Sequence, residues 1–335
     1  MRFTKHILLA AALLAACDSA TEPGNADNDA ALTVDATTGW AYVNLDNPSV
    51  VAVADPQTST AWDIAFNATS VMLNGGDAGA GEVEGFCICQ NAGATSVEVL
   101  AMTPSSERGA FDAIAEADIP AEGWQSEALA AAVTGWYSYN PVAHTVAADT
   151  TKTWKLRLSD AASPAFAKFR VKSLASATQA SAGDVTIEYA VQSAAGQPLG
   201  AVQTAVLDAS TGSASLDLNG DGSWDISISG YTIRVNGGAS GTGGVGAVLD
   251  TEPFSLITDA GDVPIQVYRG DTFGGVFVEH PWYRYNLTGS HDVSPTYDVY
   301  LVRRGSTVWK VQLTGYYSPS GDARHISFRS EKITD

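Results

Sequence analysis

The chain is poor in cysteine, methionine and positive charge. Three cysteines and three methionines are spread over 335 residues, and 18 Lys and Arg stand against 37 Asp and Glu. So acidic a surface repels nucleic acid and anionic lipid headgroups, which excludes a nucleic-acid-binding protein. The apolar run Ile7 to Ala16 is too short to span a bilayer. Catalytic signatures are lacking too: there is no G-x-S-x-G, no H-E-x-x-H and no phosphate loop. The glycine-rich "VNGGASGTGGVG" at 235–246 lacks the strand-to-helix context of a dinucleotide site. Acidic residues are abundant, but nothing in their spacing singles out an acid–base pair. The expectation is a protein that is not an enzyme. Cys87 and Cys89, in "GFCICQN", have neither the Cys-x-x-Cys spacing of redox and zinc motifs nor a second thiol pair. Two partly buried cysteines or a local disulfide are both open.

What the chain does have begins with an address. Arg2 and Lys5 precede the apolar run, and Leu14-Ala15-Ala16-Cys17 closes it, the layout of an export signal. A small-residue site ending on cysteine resembles the bacterial lipobox, which implies removal of residues 1–16 and acylation of Cys17. Residues 17–38 are rich in Asp, Ala, Thr and Asn without an aromatic side chain, so they are expected to form a flexible tether. Loss of Arg2 and Lys5 with the leader leaves 16 basic against 37 acidic side chains. Membrane association then rests on the lipid, and the expected location is the bacterial cell envelope, at the outer membrane or cell surface.

The rest of the chain is written twice. "WDIAFNATSVMLNGG" from Trp62 answers "WDISISGYTIRVNGG" from Trp224, with 12 positions from Trp to Asn in both. "GWYSYNPVAHTV" answers "PWYRYNLTGSHDV", "WKLRLSD" answers "YLVRRGS", "FAKFRVKSL" answers "TVWKVQLTGYY", and "GDVTIEYAV" answers "ARHISFRSE". Five blocks in one order are a tandem duplication. A boundary near residues 193–200 divides it into domains 39–195 and 196–335. Within the blocks apolar and polar residues alternate, as in Trp62, Ile64 and Phe66 against Asp63 and Ala65. Helical periodicity is nearly absent, except that "SERGAFDAIAEADI" could form a short helix. The expected fold is all-β, two tandem antiparallel β-rich domains with long loops, with Trp62 and Trp224 anchoring their cores.

This ordered series, "WDIAF…NGG", "WYSYN…H", "WKLRLSD", "FAKFRV" and "VTIEYAV" behind an acylated cysteine, resembles the HmuY family of bacterial surface lipoproteins. The resemblance is close over 40–192 and looser over 203–331. It implies a haemophore-like protein that takes haem from host carriers, delivers it to an outer-membrane receptor, and grips the porphyrin between loops with His or Met on the iron.

Such ligation needs imidazole or thioether in an apolar slot. His144 and His291 stand in matching places, eight residues after Trp136 and nine after Trp282, each beside aromatic and turn residues. Met72 and Met102 are the remaining candidates. Because the first copy has a single histidine after the leader, a mixed His and Met pair is the natural choice there.

A second constellation is "DLNGDGSWD", with Asp217, Asn219, Asp221 and Asp225 at positions 1, 3, 5 and 9 and Gly222 at 6. This is the oxygen spacing of a calcium loop, without its twelfth-position glutamate. The same stretch reads equally as an acidic hairpin turn. The rival to haem binding is therefore a calcium-stabilised surface adhesion or scaffold module.

Overall fold

The structure, a computed structural model, describes residues 32–334; Cys17 and the leader lie outside the described residues. Antiparallel strands dominate, as the alternation predicts. Three short helices interrupt them, Ser96–Ala101, Arg108–Ala113 and Val276–Glu279. The expected helix in "SERGAFDAIAEADI" stops at Ala113 and continues as a single 3₁₀ turn, Glu116–Asp118. The first helix carries a signal that the alternation hides: Thr95 accepts from the Glu98 amide while Glu98 accepts from the Thr95 amide, a capping box.

Strand pairing runs across the division expected at 195/196. One five-stranded sheet runs Leu32–Asp35, Ala323–Lys332, Thr307–Tyr317, Val299–Arg304, Val83–Cys87. The other runs Gln203–Asp208, Asp184–Gln192, Phe166–Ala175, Thr153–Arg157, Gly246–Asp250. Each sheet thus holds three rear strands of one repeat between two edge strands from the other. One of these edges, Leu32–Asp35, lies in the expected tether 17–38, which is therefore ordered from Leu32 by pairing with Ala323–Lys332. The apolar cores follow the sheets. Val34, Val43, Ile64, Phe66 and Leu73 pack with Trp282, Tyr300, Trp309 and Phe328. Trp154, Leu156, Phe169, Val185 and Ile187 pack with Leu207, Ile226, Ile228 and Val235.

The chain therefore builds an inner body from residues 128–270 and an outer body from 32–127 together with 271–334. It passes between them where Ala128–Ala130 pairs with Thr272–Gly274. The physical reason is that a tandem repeat has no intrinsic phase. A unit that starts at a rear half and ends at the next front half satisfies the same alternation, and only strand pairing distinguishes the two.

The repeated Asn-Gly-Gly is the joint of this arrangement. Asn74 Nδ2 donates to the Trp62 carbonyl at 2.7 Å and Oδ1 accepts from Gly81; Asn236 does the same with Trp224 and Gly243. Gly76 and Gly238 have φ of 59° and 65°, and a Cβ on either would overlap the carbonyl oxygen of Glu127 or Asp271. Only glycine fits so close an approach. Trp62 is fully buried, but Trp224 is only half-buried and stands outside the core it was expected to anchor.

Buried carboxylates seal the same joints. Asp63 and Asp225 occupy matching places, each accepting a backbone amide at 2.7 Å, from Leu45 and Leu218. Arg304 pairs with Asp63 at 2.5 Å, whereas the residue that matches Arg304 in the other repeat is Leu158, which offers Asp225 no charge. Burial, helped by Asp221 and Asp217, pushes Asp225 up to about 6. Glu127 accepts the Leu73 amide at 3.1 Å, and burial pushes it up to about 7.

Candidate functional site

Each WYxYN segment folds into a hairpin, Tyr137–Asn140 with Thr145–Ala148 and Tyr283–Tyr285 with Val293–Pro295. In both, a histidine in the left-handed region turns its ring back onto a tyrosine. His144 has φ 52° and Nδ1 2.8 Å from the Tyr139 hydroxyl; His291 has φ 62° and Nδ1 3.0 Å from the Tyr285 hydroxyl. A ring held through Nδ1 has Nε2 left to offer a metal. The matching places read from the sequence are matching in space.

The surroundings of the two pairs differ. In the outer body a hollow of about 590 Å³ is lined by Thr69, Tyr283, Tyr285, His291, Tyr316 and Tyr317, with Val293 and Ala323. In the inner body Tyr231 stands where the outer body has Thr69, seven residues after the Trp of its WDI strand in each copy. Its ring centroid lies 4.8 Å from that of Tyr137 and 6.4 Å from that of Trp136, and its hydroxyl donates to the Thr178 carbonyl. The bulge at Val171/Ser173 matches the one at Leu313/Gly315, so Leu174 and Ala175 take the places of Tyr316 and Tyr317. One body thus presents an aromatic hollow beside its histidine. The other fills that place with its own tyrosine, and residues 138–145, with His144 among them, are exposed.

Met72 lies in the outer body as well, on the strand Ser70–Leu73, and lines a second hollow of about 850 Å³. This second hollow shares Thr69 and Tyr283 with the first and adds Trp40, Tyr42 and Phe273. Gly238, Ala239 and Gly241 of the glycine-rich stretch form part of its wall. The crossing of the repeats therefore brings Met72 of the first copy and His291 of the second to adjoining hollows, a pairing that a division at residue 195 hides. Met102 caps the helix Ser96–Ala101 and belongs to neither hollow.

The model of the family described as HmuY protein matches residues 36–189. Over that segment the chain is similar to the HmuY family. No curated protein matches the chain. A crystal structure of a candidate lipoprotein from Bacteroides fragilis NCTC 9343 aligns over 89% of this chain and 88% of its own, at 11% identity and a TM-score of 0.31. The HmuY segment spans the front of the outer body and the rear of the inner one, so the family match itself runs across the crossing. No helix among the described residues is long and apolar enough to cross a membrane.

The acidic loop of the second copy closes on itself. Asp217 accepts from the amides of Gly220 at 2.7 Å and Gly222 at 2.8 Å, Asn219 from Asp221, and Asp221 from Ser223. Asp225 is turned under the loop into the core, doing the work of Asp63. These bonds are those of a side-chain-supported turn. Replacing Asp217 by Ala is expected to lower the melting temperature by the same amount in calcium and in chelator, because backbone amides lose their acceptor. A loss seen only in calcium would restore the ion to the loop.

Proposed function

We propose that this HmuY-like protein is a non-enzymatic, lipid-anchored envelope protein that binds haem or a related porphyrin in the outer body. The observation that carries the reading is the hollow beside His291, opened by Thr69 and walled by four tyrosines. Its volume is within the range of small-molecule sites, and its walls are the flat apolar surfaces a porphyrin needs. His291 supplies an imidazole already oriented by Tyr285, the donor type that suits haem iron. Haem, when bound, would supply an iron centre that accepts a nitrogen or sulfur donor. His291 would hold it through Nε2, the rings would exclude water, and Met72, which lines the adjoining hollow, would be the candidate thioether. Tyr231 fills the matching place in the inner body, so His144 has no such role and the protein takes one haem.

Acylated Cys17 would hold the protein at the outer membrane or cell surface, and an outer-membrane receptor would be the partner that collects the cargo. The test is titration of the whole chain with ferric haem. A saturable shift of the Soret band that ends at one equivalent is expected. A flat or unsaturable response, or two equivalents, would count against the reading.

A further inference from the structure

We infer that Cys87, Cys89 and His280 form a redox-gated site for a soft or borderline metal ion, distinct from the His291 hollow. Cys87 ends the strand Val83–Cys87 and pairs with Tyr300; Cys89 follows with φ 55°. The two are joined as a disulfide, with Cα atoms 5.0 Å apart. His280 caps the short helix Val276–Glu279 and brings a ring nitrogen to the pair, all three donor atoms lying within 4.8 Å of one another.

One frame fixes these donors. The Tyr300 hydroxyl donates to the His280 carbonyl at 2.7 Å, the Ile88 amide donates to Val299 at 2.9 Å, and the His280 amide bonds to Val276. Duplication does not account for the cluster. The matching places in the inner body are Leu249, Thr251 and Thr134, none of which ligates a soft metal. Three donors gathered from two distant segments, and only in one body, are what a site requires and what a scaffold does not.

In the oxidised protein the sulfurs are bonded to each other and offer no thiolate. A dithiol reductant changes this by thiol–disulfide exchange. Its thiolate attacks one sulfur, the Cys87–Cys89 bond breaks, and the reductant leaves as its own disulfide. Two electrons and two protons are thereby delivered to the pair. Metal binding then displaces both thiol protons, because only thiolate ligates. Two thiolates and one neutral imidazole suit Cu⁺ in three-coordination, or Zn²⁺ with water as fourth ligand. Exported compartments favour the disulfide, so the site opens only where a reductant reaches it.

The probe is Co²⁺, which stands in for Zn²⁺ and reports thiolate ligation by a charge-transfer band. The whole chain, reduced and kept without oxygen, should take up one equivalent of Co²⁺ with that band, and Zn²⁺ should displace it. The oxidised chain should show none. Cys87→Ser with Cys89→Ser should abolish the band, and His280→Ala should weaken binding while leaving the disulfide and the circular dichroism unchanged, since the His280 side chain is 40% exposed. A reduced, folded chain without a thiolate band would overturn the proposal. So would a His280→Ala variant that binds Co²⁺ as tightly as the unaltered chain. Haem titration of the oxidised protein is independent of either result.

Discussion

Residues 128–270 produced alone should fold and melt cooperatively, whereas residues 196–335 should not. The first piece contains all five strands of the inner sheet and the small sheet Ala214–Leu216, Ile226–Ser229, Thr232–Val235 that faces it. It also keeps segment 251–270, which covers the other face: Lys168 donates to the carbonyls of Phe254 and Ile257, and Lys155 pairs with Asp250 and Asp262. The second piece follows the repeat in the sequence but holds two unmatched halves of core. Its rear strands lose Val34, Val43, Ile64, Phe66 and Leu73, and Arg304 loses both Asp63 and Asp46. Folding back on itself would drive Tyr231 into the place now held by Thr69, among Tyr283, Tyr316 and Tyr317, an overpacked arrangement. Circular dichroism with urea titration decides the matter. A stable, cooperative 196–335 would contradict the crossed fold.

Stability is expected to fall as pH rises through the range of the buried carboxyls, and one substitution isolates the effect. Glu127 goes from an ordinary 4.5 to about 7 on folding because burial disfavours its charge. Between those values the folded protein binds more protons than the unfolded chain, so stability declines as pH rises from about 4.5 to 7 and levels off above. Below the ordinary value the group costs nothing. Asp225, raised to about 6, adds a decline of the same sign over a lower window. Glu127→Gln keeps an oxygen for the Leu73 amide and removes the charge. Relative to the unaltered protein it should gain stability progressively between pH 4.5 and 8, up to about 3.4 kcal/mol, the linkage value of the shift and an upper figure. Urea denaturation at several pH values measures it. A difference that does not grow with pH would mean that the carboxylate is stabilised by something other than Leu73.

Much of this fold is legible in the sequence because alternation, turn residues and repetition are local. The alternating "VTIEYAV" does bury Val185, Ile187 and Tyr189, and each Asn-Gly-Gly does end a strand at a left-handed glycine. The matching histidines turn up in matching hairpins. Of the two states open for Cys87 and Cys89, the structure has the disulfide. Which half of one repeat packs on which half of the other is not local, and an exact register of blocks points to the simpler, uncrossed answer. The difference between the two histidines was hidden for a related reason. It depends on residue 69 against residue 231, one side chain contributed from the opposite repeat. A comparison of the duplicated strands position by position, Thr69 against Tyr231, is the signal that finds it.

The claim that haem sits against His291 is tested most directly by one set of ferric-haem titrations, read at the Soret band. The unaltered chain, His144→Ala, His291→Ala and Thr69→Tyr are compared, the last placing in the outer body the ring that fills the inner one. His144→Ala should bind as the unaltered chain does. His291→Ala should alter the Soret and visible bands, and Thr69→Tyr should lose saturable binding while His291 remains in place. Unchanged spectra and affinity in His291→Ala and Thr69→Tyr, or a loss confined to His144→Ala, would contradict the account.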